Sequence, residues 1–501
     1  MSQLPRLVGR FLWRLLPAPL RYSLYRRTVS SNHSVIRGFW RVVAGWRVVS
    51  QWNRRMIVKE KWPDARGLDY LALLVWGALL RFHWQILNAI WSRAHWVRRW
   101  RSPARVAQPG LVLHVTGSFD LGGSQTQIRN LCESRSSRYR HTATEIFPEM
   151  NFLYRQGVQI TAADYVQGGV FRRAAGRLVL DLNYRSSQIV QIYKVFCDIR
   201  RAKPEIVVGW GHEMSVTAFV AASLARVPHI IFCIRTTNPT YLWVPKFLGD
   251  MMLLAHRRAS SLASAIIVNS TFLRRDHSEW SGVPEERIRV CANGVDPGPA
   301  RPAAERAAVR QRVRAELGAS EETVVIVNVG RFSSEKGQRT IIESNAMLLK
   351  RTMPAPFIWV LCGDGPTLEP LQQLADSTGA ENIRFLGRTA AVKDVLLAAD
   401  IFVMPSDFEG MPNAMMEGMT AGLACVSTTR SGATDVARDG SEALYYEPRD
   451  AVGLAQHLRV LIEQPELRRR LGAAAASRIS EFTVERSTNT FDAVLTEVTA
   501  G

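Results

Sequence analysis

The chain has 501 residues, of which 47% are hydrophobic and 22% charged. At roughly 100–200 residues per domain this suggests two or three domains, and the composition excludes a mostly disordered chain. The formal net charge is +20, and the cysteines at 132, 197, 233, 291, 362 and 425 lie too far apart for a CxxC pair or a metal knuckle, which points to a reducing compartment.

The charge is concentrated at the start of the chain. Residues 1–110 carry 20 of the 64 Lys and Arg but only three acids, Glu60, Asp64 and Asp69. Ten of the 14 tryptophans lie there too, so a basic, Trp-rich leader precedes a nearly neutral body. Val8, Phe11, Leu12 and Leu15 recur at helical spacing, with Arg6, Arg10 and Arg14 on the other face; Pro17 and Pro19 then end the helix. Val35, Phe39, Val42, Trp46 and Val49 repeat the design opposite Arg37 and Arg41. Such helices suit the lipid headgroup layer, and each cation near an anionic leaflet contributes about 1 kcal/mol. Residues 70–91 are the most apolar stretch, yet only Tyr70 to Leu80 run without a charge. A span needs ~20 residues, and Arg81 at mid-bilayer costs about 2.5–3.5 kcal/mol. No secretory signal is expected, because Arg14 and the two prolines interrupt the only candidate region. Peripheral attachment of residues 1–100 to an anionic membrane surface is the leading expectation. Packing of these helices on the body and nucleic-acid binding stand beside it. No helix-turn-helix, zinc-finger or RNP-type pattern accompanies the basic residues, which weighs against nucleic acid as a partner.

From residue 111 short apolar strands alternate with helices. Leu111–Val115 precedes Gly122-Gly123 and a helical stretch Gln125–Cys132. Ile206–Val208 precedes His212 and a helical stretch Ser215–Leu224. His229–Ile234 and Ala265–Val268 follow. A Pro-rich boundary and a charged helix occupy 297–322. The pattern then restarts with strands at Val324–Val329, Phe357–Cys362, Ile383–Leu386 and Ile401–Met404, and Ala424–Ser427 closes the series. The fold class is α/β, with two tandem doubly wound Rossmann-like domains. The expected divisions are 1–108 for the leader, 109–298 and 299–480 for the two domains, and 481–501 for a last helix. Ligands in such sheets bind at the carboxyl ends of the strands.

Three features sit at such ends. Gly330-Arg331-Phe332-Ser333-Ser334-Glu335-Lys336-Gly337 places a planar fork of donors and a mobile point charge five residues apart, a pairing suited to a diphosphate. Glu409-Gly410-Met411-Pro412-Asn413-Ala414-Met415-Met416-Glu417 puts Pro412 in the first turn of a helix whose amino end would face the crevice. Gly122 and Gly123 permit close backbone approach. Each feature alone also fits a surface loop, a tight turn or an ordinary helix glutamate.

In this order and spacing, together with LCGDGP, FLGR and PSDFEGMPNAMMEGMTAGLACVSTTRSGATD, they resemble the retaining glycosyltransferases of family four, which adopt the GT-B fold. The resemblance covers about residues 110–495 and includes Asn293-Gly294-Val295-Asp296. It implies a nucleotide-sugar donor, a glycan or lipid-linked acceptor, and a place in cell-envelope or surface polysaccharide synthesis at the cytoplasmic face of the membrane. It implies that Arg331 and Lys336 hold the diphosphate and that Glu417 takes the ribose hydroxyls. Glu409 would lie near the transferred sugar, with Gly410, Met411, Pro412 and Asn413 beside it. Phe385, Leu386 and Gly387 would read the base, and Gly122 and Gly123 would adjoin donor and acceptor. The last helix would cross back to the first domain. No D-x-D triplet is present, so neither a metal nor another cofactor is implied. Arg235 stands where many relatives carry His, which leaves His212 as the nearest catalytic histidine, and Asp435 stands where Glu is usual. The alternatives are another GT-B enzyme, such as a sugar-nucleotide epimerase or a phosphorylase, and a nucleic-acid-binding or scaffolding protein.

Overall fold

The computed structural model describes residues 90–94, 96–98, 107–117, 122–146, 188–239, 246–298 and 301–500, with 188–190 and 246–252 as backbone only. The two amphipathic leader stretches and residues 70–89 lie outside the described residues. One compact unit is Met1–Arg93 with Ser186–Ile189, of which a short helical stretch at 90–93 is described. The other unit, Ala94–Arg185 with Val190–Gly501, holds both sheets. Among the described residues no helix is long and apolar enough to cross a membrane.

The first lobe runs β1 (Gln108–Thr116), α1 (Gly123–Glu133), β2 (Arg140–Glu145), α2 (Gln188–Ala202), β3 (Pro204–Trp210), α3 (His212–Ala225), β4 (His229–Ile234), α4 (Lys246–Ser260), β5 (Ala265–Val268), α5 (Thr271–Ser281) and β6 (Ile288–Val290). The second runs α6 (Ala303–Leu317), β7 (Val324–Val329), α7 (Gln338–Leu349), β8 (Phe357–Cys362), α8 (Leu368–Ser377), β9 (Ile383–Gly387), α9 (Val392–Ala398), β10 (Ile401–Met404), α10 (Asn413–Thr420), β11 (Ala424–Thr428), α11 (Ala433–Val436), β12 (Ala443–Tyr446), α12 (Ala451–Glu463) and α13 (Pro465–Ile479). A last helix, α14 (Val484–Ala500), follows.

Both sheets are parallel, in the orders β2-β1-β3-β4-β5-β6 and β12-β11-β10-β7-β8-β9. The apolar runs lie on the inner strands because helices cover both faces and bury every residue of β8, β10 and β11. β12 corrects the expectation that Ala424–Ser427 ends the series; it pairs with β11 from Cys425↔Ala443 to Thr428↔Tyr446. β2 and β6 were also not anticipated. Their sequences, RHTATE and IRV, belong to edge strands with half-covered faces, so neither forms an apolar run.

α14 packs on the first lobe, although it follows the second in sequence. Phe491, Val494 and Leu495 enter the core formed by Val112, Ile128, Val208 and Trp210. Burying a side chain the size of Phe491 contributes about 1.5–3 kcal/mol. Asp492 accepts the Arg138 amide at 2.7 Å and the Ser137 hydroxyl at 3.0 Å. Burial acts to raise this carboxyl's pKa, but the His141 ring and these two donors outweigh it and hold the pKa below the usual value.

At the amino end of inner strand β4, Arg98 donates to the carbonyls of Val227 at 2.7 Å and Pro228 at 3.0 Å. The chain thus enters this lobe at the amino ends of the strands, away from the edge where ligands bind.

Candidate active site

In the second sheet the chain leaves β7 toward β8 on one side and leaves β10 toward β11 on the other. Such a reversal of direction between neighbouring strands is where α/β sheets bind ligands, at the carboxyl ends of the strands and between the loops after β7 and β10. The β7 loop carries Arg331 and Lys336, and the β10 loop carries Glu409. The fold thus brings together residues 73 apart in sequence.

The β7 loop is tightly held. The Phe332 amide donates to the Asp364 carbonyl at 2.9 Å, and Gln338 Nε2 donates to the Arg331 carbonyl at 3.0 Å. A short 3-10 turn, Ser334–Lys336, ends at Gly337, whose φ of +68° is left-handed. A Cβ there would lie 2.0 Å from the Pro405 carbonyl oxygen, so only glycine lets the two loops meet. At that junction Lys336 Nζ donates to Glu409 Oε1, which also accepts the Ser406 hydroxyl at 3.2 Å.

Arg331 is 67% exposed and donates to Glu335 at 2.7 Å. Glu335 also accepts the Ser333 hydroxyl at 2.6 Å. Burial acts to raise its pKa, but Ser333, its own backbone and Arg331 together bring it below the usual value. Sequence reasoning missed Glu335 as a member of the site. The signal was present: a cation and an acid at i and i+4 on a compact turn can pair.

α10 begins at Asn413, not at Pro412 as the sequence suggested. Pro412 is the residue that caps the helix, with φ −82° and ψ 92°, and its carbonyl accepts the Met416 amide at 3.1 Å. A cap residue needs no N–H in the helix ladder, so proline fits there as well. Met411, Met415, Met416 and Met419 are buried under the sheet. Glu417 lies one turn inside, mostly covered, with no hydrogen-bond partner among the described residues. Burial pushes its carboxyl above the usual pKa, against a smaller downward pull from Lys393. A covered carboxylate with open lone pairs is suited to accept hydroxyl donors from a ligand.

The base-reading candidates lie beside the same loop. The Gly387 carbonyl accepts the Gly363 amide at 2.8 Å, and Phe385 meets Phe332 edge-on with centroids 6.2 Å apart. Leu386 is 39% exposed, a large apolar side chain left open at the end of edge strand β9.

The first lobe meets this assembly through its own strand-end loops. Gly122 caps α1, and Asn413 Nδ2 donates to the Gly123 carbonyl at 3.3 Å. Asn293 Nδ2 donates to Asn413 Oδ1 at 2.7 Å. The Asn293 amide lies 3.1 Å from the sulfur of Met411. Gly410 passes the Arg235 carbonyl so closely that a Cβ would come within 2.5 Å of its oxygen. Asp435 accepts both the amide and the hydroxyl of Thr271, each at 2.5 Å, across the same junction. A shorter acid at this position thus ties the second lobe to the head of α5.

His212, expected as a catalytic candidate, is buried. Its ring is 6% exposed and packs against His256, His277 and Trp280, with centroids 5.0–5.8 Å away. Nε2 faces the carbonyls of Thr236 at 3.2 Å and Thr237 at 3.1 Å, so it carries the proton and donates it. Burial brings this imidazole down to about 4, although the two carbonyls oppose the shift. A neutral ring whose only proton is committed to these two carbonyls supports the loop that carries them.

A family model described as Glycosyl transferases group 1 matches residues 309–478, and one described as Glycosyltransferase Family 4 matches residues 121–298. The chain is 32% identical over 180 residues to the lipopolysaccharide core biosynthesis glycosyltransferase LpsE of Rhizobium meliloti (strain 1021), covering 36% of this chain and 51% of that protein. It is 28% identical over 286 residues to alpha-maltose-1-phosphate synthase of Mycolicibacterium smegmatis, covering 52% of this chain and 71% of that one. The match thus spans about half the length of the R. meliloti relatives. Among solved structures, Anabaena Alr3699/HepE in complex with UDP-glucose superposes with a TM-score of 0.61 at 19% identity, over 77% of this chain and 99% of that one. At that identity the likeness shows the fold.

Proposed function

The chain belongs to glycosyltransferase family 4 and has the GT-B fold, and from that premise we propose that it moves a sugar from a nucleotide-sugar donor to a lipid-linked or polysaccharide acceptor, with retention of anomeric configuration, in cell-envelope polysaccharide synthesis. The observation that carries the reading is the Lys336–Glu409 pair between the β7 and β10 loops, one short helix away from the unpartnered Glu417. Lys336 and Arg331 receive the diphosphate, Glu417 the ribose hydroxyls, and the Phe385–Gly387 segment the base. In the transfer, the bond from the anomeric carbon to the diphosphate oxygen breaks and its electron pair leaves with the diphosphate. The acceptor oxygen bonds the same carbon, and its proton passes to the departing phosphate oxygen. Preorganised cations and the amino end of α10 stabilise the charge on the leaving group. The reading assigns no step to a metal or other cofactor.

Screening UDP-, GDP- and ADP-sugars by thermal shift tests the donor. One of them should bind, and Glu417→Gln should weaken it at least tenfold, about 1.4 kcal/mol, since hydrogen bonds to a charged group contribute about 1.5–3 kcal/mol. The variant should not melt lower than the wild type. With a folded pKa above the usual 4.5, the wild-type carboxyl loses stability as pH rises from that value through the raised one, and the glutamine does not. A Glu417→Gln protein that binds every nucleotide sugar as the wild type does would remove this assignment.

The same reading places the protein on the inner face of the cell membrane, held by residues 1–100 against anionic lipid. Flotation of the full chain with vesicles checks it. Binding to phosphatidylglycerol vesicles but not phosphatidylcholine vesicles, weakened by salt, is expected; equal binding to neither or both would reject an electrostatic anchor.

A further inference from the structure

Arg235 carries a charge that the fold leaves unneutralised. It follows β4, at the carboxyl edge of the first sheet, with its own carbonyl against Gly410 of the second lobe. Its guanidinium lies 4.7 Å over the Trp210 ring. Nη1 donates to Asn293 Oδ1 at 2.7 Å and to the Cys291 carbonyl at 3.2 Å, while Nε lies 3.2 Å from the sulfur of Cys233. Every one of these partners is uncharged. Among the described residues no carboxylate lies within 4 Å of the guanidinium, and Nη2 has no hydrogen-bond partner. The two cations of the opposite lobe are different: Lys336 sits on Glu409 and Arg331 on Glu335.

The surroundings fix this guanidinium without satisfying it. Trp210 holds its face and is itself held, Nε1 donating to His114 Nδ1 at 2.9 Å. Asn293 holds one edge and passes the constraint to Asn413 at the head of α10. A rigid planar fork with one free edge, at the ligand-binding edge of an α/β sheet, is the geometry that binds oxyanions. A partly covered charge facing neutral dipoles also gains more from a counter-ion than an open surface arginine does.

We propose that Arg235 is a specificity-determining residue that binds an oxyanion, a phosphate or a carboxylate, on the acceptor. The proposal rests on the donor reading above, because it takes the second lobe for the donor and so leaves the first lobe, and Arg235, for the acceptor. The acceptor is then a carbohydrate or lipid-linked carbohydrate with a negative group close to the accepting hydroxyl.

The test uses the full chain saturated with UDP, so that the diphosphate site is filled, and titrates inorganic phosphate by calorimetry. D-glucuronate is run beside D-glucose to separate a carboxylate from a phosphate. The wild type should bind phosphate or glucuronate but not glucose, more weakly as salt rises. Arg235→Gln, which keeps an amide donor for Asn293, should weaken that binding at least tenfold while still binding UDP. Arg235→Lys should keep more of the anion affinity than the glutamine variant, and it remains decisive if Arg235→Gln does not fold. No anion binding beside bound UDP would overturn the proposal and leave the donor reading standing. So would anion binding that is the same in the wild type and both variants. Loss of UDP affinity in Arg235→Gln to the same degree would assign the guanidinium to the donor diphosphate instead. A wild type that binds no nucleotide would take the donor reading down, and this proposal with it.

Discussion

Replacing Lys336 with alanine should lower kcat for sugar transfer by roughly 10²–10³-fold, the loss of about 2.7–4 kcal/mol that accompanies removal of one preorganised donor from a developing oxyanion. The ammonium stands where the β7 and β10 loops are drawn together, by Gly337 against Pro405, by the Asp407 amide donating to the Glu335 carbonyl at 2.9 Å, and by its own bond to Glu409. Departure of the diphosphate deposits charge at that point. The effect belongs in kcat because the leaving group is more negative in the transition state than in the bound donor. Melting should fall only modestly. Lys336 is 28% exposed and Glu409 17%, so the pair is partly covered, and any loss of melting temperature should stay well below the loss in kcat, since Glu409 keeps the Ser406 hydroxyl as a donor. A variant that turns over normally, or one that loses activity only because it unfolds, would show that Lys336 is a structural partner of Glu409 and nothing more.

The contrast between Lys336 and His212 shows what sequence could and could not supply. The cations of the β7 loop were legible because they follow a run, Val324–Val329, that can only be an inner strand. A loop after such a strand in a parallel sheet must open at the ligand edge. His212 follows an equally clear strand, yet it turns down into a cluster with His256, His277 and Trp280, residues 44–68 positions later in the chain. Nothing local to Gly211-His212 announces that α4 and α5 will close over the ring. The inner strands of both sheets were legible for the same reason as the β7 loop. Edge strands β2 and β6 were not, because their half-covered faces mix polar and apolar residues, and β12 was not, because its four residues Ala443–Tyr446 form too short a run to stand out. The partners of the site followed a third rule. Glu335 was readable from spacing. Asn293 and Arg235 depend on where the first lobe lies against α10, and that is set by packing of loops distant in sequence.

This dependence on loop packing makes Gly363→Ala the substitution with the largest expected cost in stability. Gly363 follows β8 with φ +146°, a conformation nearly confined to glycine, and a Cβ there would stand 1.9 Å from the Gly330 carbonyl oxygen and 3.3 Å from the Phe332 ring. The oxygen has little freedom to yield. The Gly330 amide is bonded to the Cys362 carbonyl at 3.0 Å, and the Phe332 amide to Asp364 at 2.9 Å, so the first turn of the β7 loop is sewn to the β8 loop on both sides of the clash. Strain of about 1–3 kcal/mol and overpacking of about 1–3 kcal/mol together predict a loss of roughly 3 kcal/mol or more. Thermal unfolding should therefore fall by about 6–12 °C for a lobe of this size. Gly422→Ala separates the two causes. It also has positive φ, +81°, but a Cβ there meets nothing within 4 Å, so it should lose only about 1–2 kcal/mol. Below its melting point the Gly363→Ala protein should also bind UDP more weakly than Gly422→Ala, because the methyl pushes on the loop that ends in Lys336. Equal melting and equal UDP affinity in the two variants would mean that the β7 and β8 loops can part freely, and that the position of Lys336 is not fixed by their contact.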